Sequence, residues 1–191
     1  MATETTTQLN GWDLQGFQEA IDMVERQPEA GRLIWRSHVD WDAGFGVDAR
    51  TDEIEQLGEV MRRTFTLRGD HPPELLGQDT GPTAVEALLA ALGSCITGTY
   101  AAHATARGVA IDELEVELEG RIDLSGMFQL RPVRAGLDGV KATIRVKADA
   151  DVAVLEEIRQ VTTRASPVHD SVANPVAIES TVERVREEAA R

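Results

Sequence analysis

The chain has 191 residues, enough for one domain or one domain with an appendage, and 42% of them are hydrophobic. Its formal net charge of −14 argues against nucleic acid or an anionic membrane as a partner. One cysteine excludes an intrachain disulfide framework and a cysteine-rich metal site, and four scattered histidines argue against zinc. We expect no metal and no cofactor. Neither a signal peptide nor an apolar run of membrane-spanning length is evident, so we expect a cytoplasmic protein.

Residues 1–30 are predicted to form an N-terminal tail and an amphipathic helix. Residues 1–9 are polar and threonine-rich, and we expect them to be disordered. Asp13 is placed to cap the helix and Pro28 to end it. Four apolar residues then follow at helical spacing: Leu14, Phe17, Ile21 and Val24.

Strands follow in the first part of the main domain, which we expect to span residues 31–191. The segments "RLIWRSHVDW" and "FGVDAR" are predicted to form a hairpin through "DAG", and "RTFTLRG" alternates like a third strand. The next segment, "DHPPELLGQDTGP", is predicted to be a loop, because Pro72 and Pro73 exclude a helix there.

A long apolar helix is predicted from "GPTAVEALLAALGSCITGTYAAHATARG", residues 81–108. Pro82 suits its first turn, Thr83 and Glu86 have capping-box spacing, and Gly108 suits its C-terminal cap. The helix is apolar nearly all round, so we expect burial on several sides. Its many small residues allow close approach of another backbone. These features predict an obligate homodimer, since one modest domain cannot enclose such a helix.

The second half contains two clearly alternating strands. In "ELEVELEGRI" and "VKATIRVKA" the polar faces are acidic and basic, respectively, which favours pairing across a sheet. The segment "DADVAVLEEIRQVTTRA" is predicted to be a helix, "SPVHDSVANP" a short turn or helix, and "VAIESTVERV" a last strand. The predicted fold class is therefore α+β, with antiparallel sheets around a long central helix.

Four segments together resemble the OsmC/Ohr family: "GPTAVEALLAALGSC", "GRIDLSGMF", "VRAGLDGVKATIRVKADAD" and "SPVHDSVANPVAIE". They occur in the family's order, and the resemblance extends over about residues 32–185. It implies an OsmC-like fold, an intertwined homodimer with two central helices and active sites at the subunit interface. The implied activity is thiol-dependent reduction of organic or hydrogen peroxides.

Cys95 matches the peroxide-attacking cysteine of this family. The attack needs a thiolate, which an apolar setting disfavours, so a cationic or hydrogen-bonding partner must reach the sulfur. The alternative is a small core residue. The second, resolving cysteine of the family is replaced by Ser166, so the chain resembles a subgroup that lacks it. A hydroxyl cannot form a disulfide, and the resemblance then requires an external thiol as reductant. Ser166 alternatively caps the helix that Pro167 begins.

The family also uses an Arg–Glu pair, for which Glu86 and Arg36 are the candidates here, with Arg50 as a second arginine. Glu86 lies about 13 Å along the helix from Cys95, which excludes direct contact within one straight helix. Capping is the alternative role for Glu86, and surface ion pairing for the arginines. His169 follows Ser166 by three residues and can act as a base beside the thiol, or face solvent in a turn.

These residues lead to three alternatives for function. The first is a one-cysteine peroxide reductase that uses Cys95 and an external thiol. The second is a non-catalytic OsmC-fold protein that binds a small apolar molecule at the dimer interface. The third is a Cys–His hydrolase or thiol transferase.

Overall fold

The computed structural model describes residues 8–185. Of the disorder predicted for residues 1–9, residues 1–7 lie outside this range, and the prediction is wrong for Gln8 and Leu9, which pair as a strand with Trp12 and Asp13. The strands in this range are β1 (Gln8–Leu9), β2 (Trp12–Asp13), β3 (Leu33–Trp41), β4 (Val47–Gln56), β5 (Glu59–Gly69), β6 (Ile111–Arg121) and β7 (Gly139–Ala148). The helices are α1 (Leu14–Arg26), α2 (Ala84–Thr105), α3 (Leu124–Met127), α4 (Val152–Ala165) and α5 (Pro167–Ala173). The fold is α+β, as predicted.

The N-terminal hairpin β1–β2 is attached to the far end of α2. Its turn contains Asn10 and Gly11, with φ of 52° and 81°, the left-handed backbone that this pair adopts readily. The Asn10 amide donates to Thr105 Oγ1 at 3.0 Å and to the Val109 carbonyl at 2.9 Å, and its oxygen accepts from the Ile111 N–H at 2.8 Å. Helix α1 follows directly, capped by Asp13 as predicted.

Strands β3, β4 and β5 form an antiparallel sheet in that order, and the predicted "DAG" hairpin is confirmed. The polar face carries ion pairs such as Arg50 with Asp40 at 3.0 Å. The other face is apolar and exposed; Trp35, for example, is 66% exposed. We call it the apolar sheet face, and it is formed mainly by Trp35, Val39, Trp41, Phe65 and Leu67.

A loop organised by Asp70 connects this sheet to α2. The Asp70 side chain is 4% exposed and accepts hydrogen bonds from the backbone of His71, Gln78 and Thr80 and from the Thr80 hydroxyl. These bonds lower the pKa of Asp70 from 3.8 to about 2, with the His71 N–H as the largest cause. The loop was predicted to contain no helix, but Pro73–Leu75 form a short 3₁₀ turn, because proline is compatible with the first turn of a helix.

Helix α2 packs against β6, α4 and α5. The core on this side contains Tyr100, Ala104 and Ile158, and the Tyr100 hydroxyl donates to the Leu155 carbonyl at 3.1 Å. Strands β6 and β7 pair antiparallel, and their charged faces match as predicted. Lys147, for example, lies 3.0 Å from Glu113.

Burial of α2 on several sides is not observed in the single chain. Leu92, Ile96 and Tyr100 are buried, whereas Leu88 on the same helix is 40% exposed. The reason is that β6, α4 and α5 cover one side of α2 only. The expectation that no segment reaches membrane-spanning length was also wrong, because α2 is long and apolar enough by length and composition alone. Core helices of soluble proteins meet the same criterion, and α2 packs on three elements of this chain but is largely exposed in it.

The predicted last strand in "VAIESTVERV" is wrong for the described part of the chain. Residues 175–185 form no strand, and Val182 is 98% exposed. A β-strand needs a neighbouring strand to exchange backbone hydrogen bonds, and no strand of residues 8–185 lies beside this segment. The alternating pattern therefore occurs in a segment that pairs with no other strand within residues 8–185.

Candidate functional site

The candidate site is built around Cys95, in the middle of α2, and Ser166, at the junction of α4 and α5. The Ser166 hydroxyl donates to the Cys95 sulfur at 3.2 Å. Ser166 is fully buried, whereas Cys95 is half-buried. Pro167 begins α5, so Ser166 occupies the N-cap position as predicted, but its side chain makes no capping hydrogen bond. The hydroxyl is therefore directed to the sulfur instead of the helix end.

This contact favours reactive chemistry at Cys95. A hydroxyl that donates to sulfur stabilises the thiolate more than the thiol, because the anion is the stronger acceptor. Since Ser166 is buried, water does not compete at the hydroxyl, and the bond is correspondingly stronger. Cys95 itself is only partly buried. The predicted hydrogen-bonding partner is thus present, and it is a neutral one.

A cleft of about 510 Å³ begins next to this pair, between α2, α5 and the segment that leads into β7. Leu92, one turn before Cys95 on the same helical stripe, lines it, as does His169, one turn after Ser166. Further lining residues are Leu88, Leu137, Val140 and Val172. The cleft is of a size typical of small-molecule sites and is largely apolar.

His169 lies at this cleft but not in contact with the thiol. Within the described residues it makes no hydrogen bond to Cys95, which has Ser166 as its hydrogen-bonding neighbour. The predicted Cys–His arrangement is therefore not formed in the single chain. Its position one turn from Ser166 still places the imidazole where a bound ligand can meet it.

Glu86 is held at the start of α2, away from Cys95. Its carboxylate accepts from the Thr83 N–H at 2.7 Å and from the Thr83 hydroxyl at 2.8 Å, and the Thr83 hydroxyl accepts from the Glu86 N–H. These bonds, chiefly that from the Thr83 backbone, lower the pKa of Glu86. The capping box is confirmed, and the structure does not bring Glu86 to the sulfur.

Arg36 lies on the polar face of the β3–β5 sheet. Its guanidinium donates to Glu55 at 2.8 Å, and that bond raises the pKa of Arg36 above its ordinary value. Arg50 pairs with Asp40 on the same face. In the single chain neither arginine reaches Cys95. Both form ion pairs on the sheet surface, which was the alternative role predicted for them.

Comparison of the sequence with protein-family models shows which family this chain belongs to. The family model described as OsmC-like protein matches residues 77–181, more than half of the chain, and includes both Cys95 and Ser166. The chain belongs to the OsmC-like family. A search of curated protein sequences finds no match.

Solved structures share the fold of this OsmC-like protein at low sequence identity. An OsmC-like protein from Mycoplasma pneumoniae is 15% identical, with a TM-score of 0.59, over 74% of this chain and 89% of the other. An organic hydroperoxide resistance protein OsmC from Legionella pneumophila is 12% identical, with a TM-score of 0.53, over 73% and 88%. A putative osmotic stress induced and detoxification response protein from Psychrobacter arcticus 273-4 is 16% identical, with a TM-score of 0.56, over 73% and 88%.

Sequence reasoning missed two charged residues of this OsmC-like site, Arg134 and Asp138. Both line the cleft beside Leu137, from the connection between α3 and β7. The Arg134 side chain lies across Gly136, where an added Cβ would be 3.3 Å from Nε. The segment has no periodicity, so the spacing of these charges carried no signal. Within residues 8–185 no His, Cys, Asp or Glu cluster suits a metal ion.

Proposed function

We propose that this OsmC-like protein is a thiol-dependent peroxide reductase in which Cys95 attacks the peroxide and an external thiol regenerates it. The observation that carries the proposal is the 3.2 Å hydrogen bond from buried Ser166 to the half-buried sulfur of Cys95. Family membership and the structural relative described as an organic hydroperoxide resistance protein support the same class of substrate.

The first step is a nucleophilic displacement on oxygen. The Cys95 thiolate attacks the terminal peroxide oxygen, an S–O bond forms and the O–O bond breaks. The leaving alkoxide takes a proton and departs as the alcohol, or as water if the substrate is hydrogen peroxide. Sulfur is oxidised to sulfenic acid, and the peroxide is reduced. Ser166 orients the sulfur and stabilises its charge before attack.

The second step follows from the presence of serine at position 166. The Ser166 hydroxyl cannot condense with sulfenic acid to give a disulfide, and the chain has no other cysteine. An external thiol therefore displaces water from the sulfenic acid and leaves a mixed disulfide on Cys95. A second molecule of the external thiol then attacks the mixed disulfide, releases Cys95 and leaves as the disulfide of the two external thiols. The electrons for the cycle come from these two thiols.

The working unit of this proposal is a homodimer. The apolar sheet face exposes Trp35, Val39, Trp41, Phe65 and Leu67, more contiguous apolar surface than a monomeric protein normally leaves in water. Residues 175–185 form no helix or strand in the described chain and are exposed, and α2 is covered on one side only. A second copy supplies partners for all three surfaces. A role for Arg36 or Glu86 at the neighbouring sulfur stays a prediction, because Arg36 pairs with Glu55 on the polar face and Glu86 caps α2.

The division into residues 1–30 and the OsmC-like domain 31–191, and a cytoplasmic location, complete the proposal. A cytoplasm rich in low-molecular-weight thiols keeps Cys95 reduced and supplies the reductant.

Mass spectrometry of Cys95 tests the peroxide step. After one equivalent of cumene hydroperoxide we expect one added oxygen on Cys95, removed by thiol, and none in Cys95→Ser. Ser166→Ala should slow this oxidation by roughly ten- to a hundredfold, because a hydrogen bond to a charged group is worth about 1.5–3 kcal/mol.

Other outcomes of the same experiment favour the alternatives. An inert Cys95 in a protein that retains a small apolar molecule in the cleft of Leu88 and Leu92 would indicate a binding protein. Hydrolysis of a thioester or ester that depends on both Cys95 and His169 would indicate a Cys–His hydrolase.

A further inference from the structure

The charged rim of the cleft identifies what binds there. Arg134 and Asp138 approach the same cleft from one short segment, and neither forms an ion pair within residues 8–185. In contrast, neighbouring Arg131 is engaged by Asp123 and by the Ser125 hydroxyl at 2.7 Å. The cleft therefore presents one uncommitted positive charge and one uncommitted negative charge at an otherwise largely apolar wall.

We infer that this cleft binds the resolving reductant, a small thiol of the amino-acid type, with its carboxylate on Arg134 and its ammonium group on Asp138. The inference rests on the proposed function, which requires an external thiol. A hydroperoxide with an alkyl or aryl body has no ammonium group for Asp138, whereas an amino-acid thiol satisfies both charges. Arginine suits the carboxylate because its planar guanidinium can form two parallel hydrogen bonds.

The position of the cleft fits attack on Cys95. Leu92 lines it three residues before Cys95, about 4.5 Å along the axis of α2. On the facing helix, His169 lines it one turn after Ser166, whose hydroxyl touches the sulfur. The inference requires that a thiol anchored by Arg134 and Asp138 reach from the Leu92 and His169 end of the cleft to the neighbouring Cys95.

Two molecules of the thiol supply the electrons that reduce the sulfenic acid of Cys95. The reductant thiolate attacks the sulfur of Cys95 sulfenic acid, an S–S bond forms, and the S–O bond breaks with loss of water after protonation. A second molecule of the thiol attacks the mixed disulfide, releases Cys95 as thiol and leaves as the symmetrical disulfide.

The test uses a neutral disulfide, so that it does not depend on peroxide. Full-length protein is treated with 2,2′-dipyridyl disulfide to place a pyridyl disulfide on Cys95, and four thiols then release 2-thiopyridone, measured by absorbance. Cysteine carries both charges, cysteamine only the ammonium group, 3-mercaptopropionate only the carboxylate and 2-mercaptoethanol neither. The rate of 2-thiopyridone release with each thiol is divided by its thiolate concentration. It is then divided by the rate at which the same thiol reacts with a free alkyl pyridyl disulfide, which corrects for its intrinsic reactivity.

We expect cysteine to react fastest after this correction. Arg134→Gln should slow cysteine and 3-mercaptopropionate by roughly two- to fivefold and leave cysteamine unchanged, as for loss of an exposed charge pair. Asp138→Asn should slow cysteine and cysteamine and leave 3-mercaptopropionate unchanged. Arg164→Gln, an exposed arginine two residues before Ser166 and outside the cleft, is the matched control and should change none of the four.

Equal rates for the four thiols, or variants that slow all of them alike, would overturn the inference while leaving the peroxide step intact. Conversely, charge selectivity in a protein whose Cys95 resists cumene hydroperoxide would retain the thiol site and reject the peroxide reductase. Failure of Cys95 to react with the pyridyl reagent overturns both.

Discussion

Ser166 donates to Cys95 across 71 residues of chain, with 3.2 Å between oxygen and sulfur. The serine stands where the OsmC/Ohr resemblance places a resolving cysteine, and its buried position keeps the two side chains together. The structure thus places a hydroxyl beside Cys95 at the position where the resemblance implies a second thiol.

Replacing Ser166 by cysteine should create an intrachain disulfide. A sulfur at this position needs only a side-chain rotation to move from 3.2 Å to the bond length of about 2 Å. After mild oxidation, a non-reducing peptide map of Ser166→Cys should contain a cross-link between Cys95 and the introduced cysteine. The sulfenic acid should then be resolved within the chain, and an external reductant should be needed only to reopen the disulfide. A matched Ser171→Cys variant, on the same short helix, should form no such link. Free thiols at both positions of the Ser166→Cys variant after oxidation would contradict the predicted proximity.

The apolar sheet face should control assembly. Trp35→Glu places a charge in the centre of this face, where a second copy is proposed to pack, so we expect dissociation to monomers by sedimentation velocity. His38→Glu, on the polar face of the same strand, is the control and should leave the dimer intact. A wild-type protein that sediments as a monomer at micromolar concentration would refute the proposed dimer.

The Asp70 loop should give stability that is lost in acid. Because the folded-state pKa of Asp70 is lowered from 3.8 to about 2, the carboxylate stabilises the fold above about pH 4, and this contribution is lost as the pH falls toward 2. Asp70→Asn should therefore lower the free energy of unfolding at pH 7, and the difference from wild type should shrink between pH 4 and pH 2. The measurement is urea unfolding across this range. Asp79→Asn, exposed in the same loop, should show a smaller difference, and equal effects of the two variants would contradict the role of Asp70.

Much of the fold could be predicted from local pattern. The alternation in β6 and β7, the capping box of Thr83 and Glu86 and the Asp13 cap all depend on residues close in sequence, and all are confirmed. The last strand was wrong for the described chain because alternation indicates only a surface that suits strand pairing, and no strand of residues 8–185 lies beside this segment. The burial of α2 on several sides was expected together with a second copy, so the single chain leaves it a prediction.

The site was less predictable than the fold. The family resemblance brought Cys95 and Ser166 together correctly, since the long separation between them is closed only by the packing of α2 on α5. Arg134 and Asp138 were missed because a connecting segment has no periodic pattern, and their common direction is set by the backbone path into β7. Charge alone did not distinguish them from the chain's other 50 acidic and basic residues.

The attachment of Asn10 to Thr105, Val109 and Ile111 has a consequence for synthesis. About a hundred residues separate the two sides of this contact. The first part of the chain to leave the ribosome therefore has no docking site until the whole of α2 has emerged. At about 5–20 residues per second this is a wait of roughly 5–20 seconds, during which Asn10 lacks the hydrogen-bonding partners that hold the β1–β2 hairpin in the folded chain.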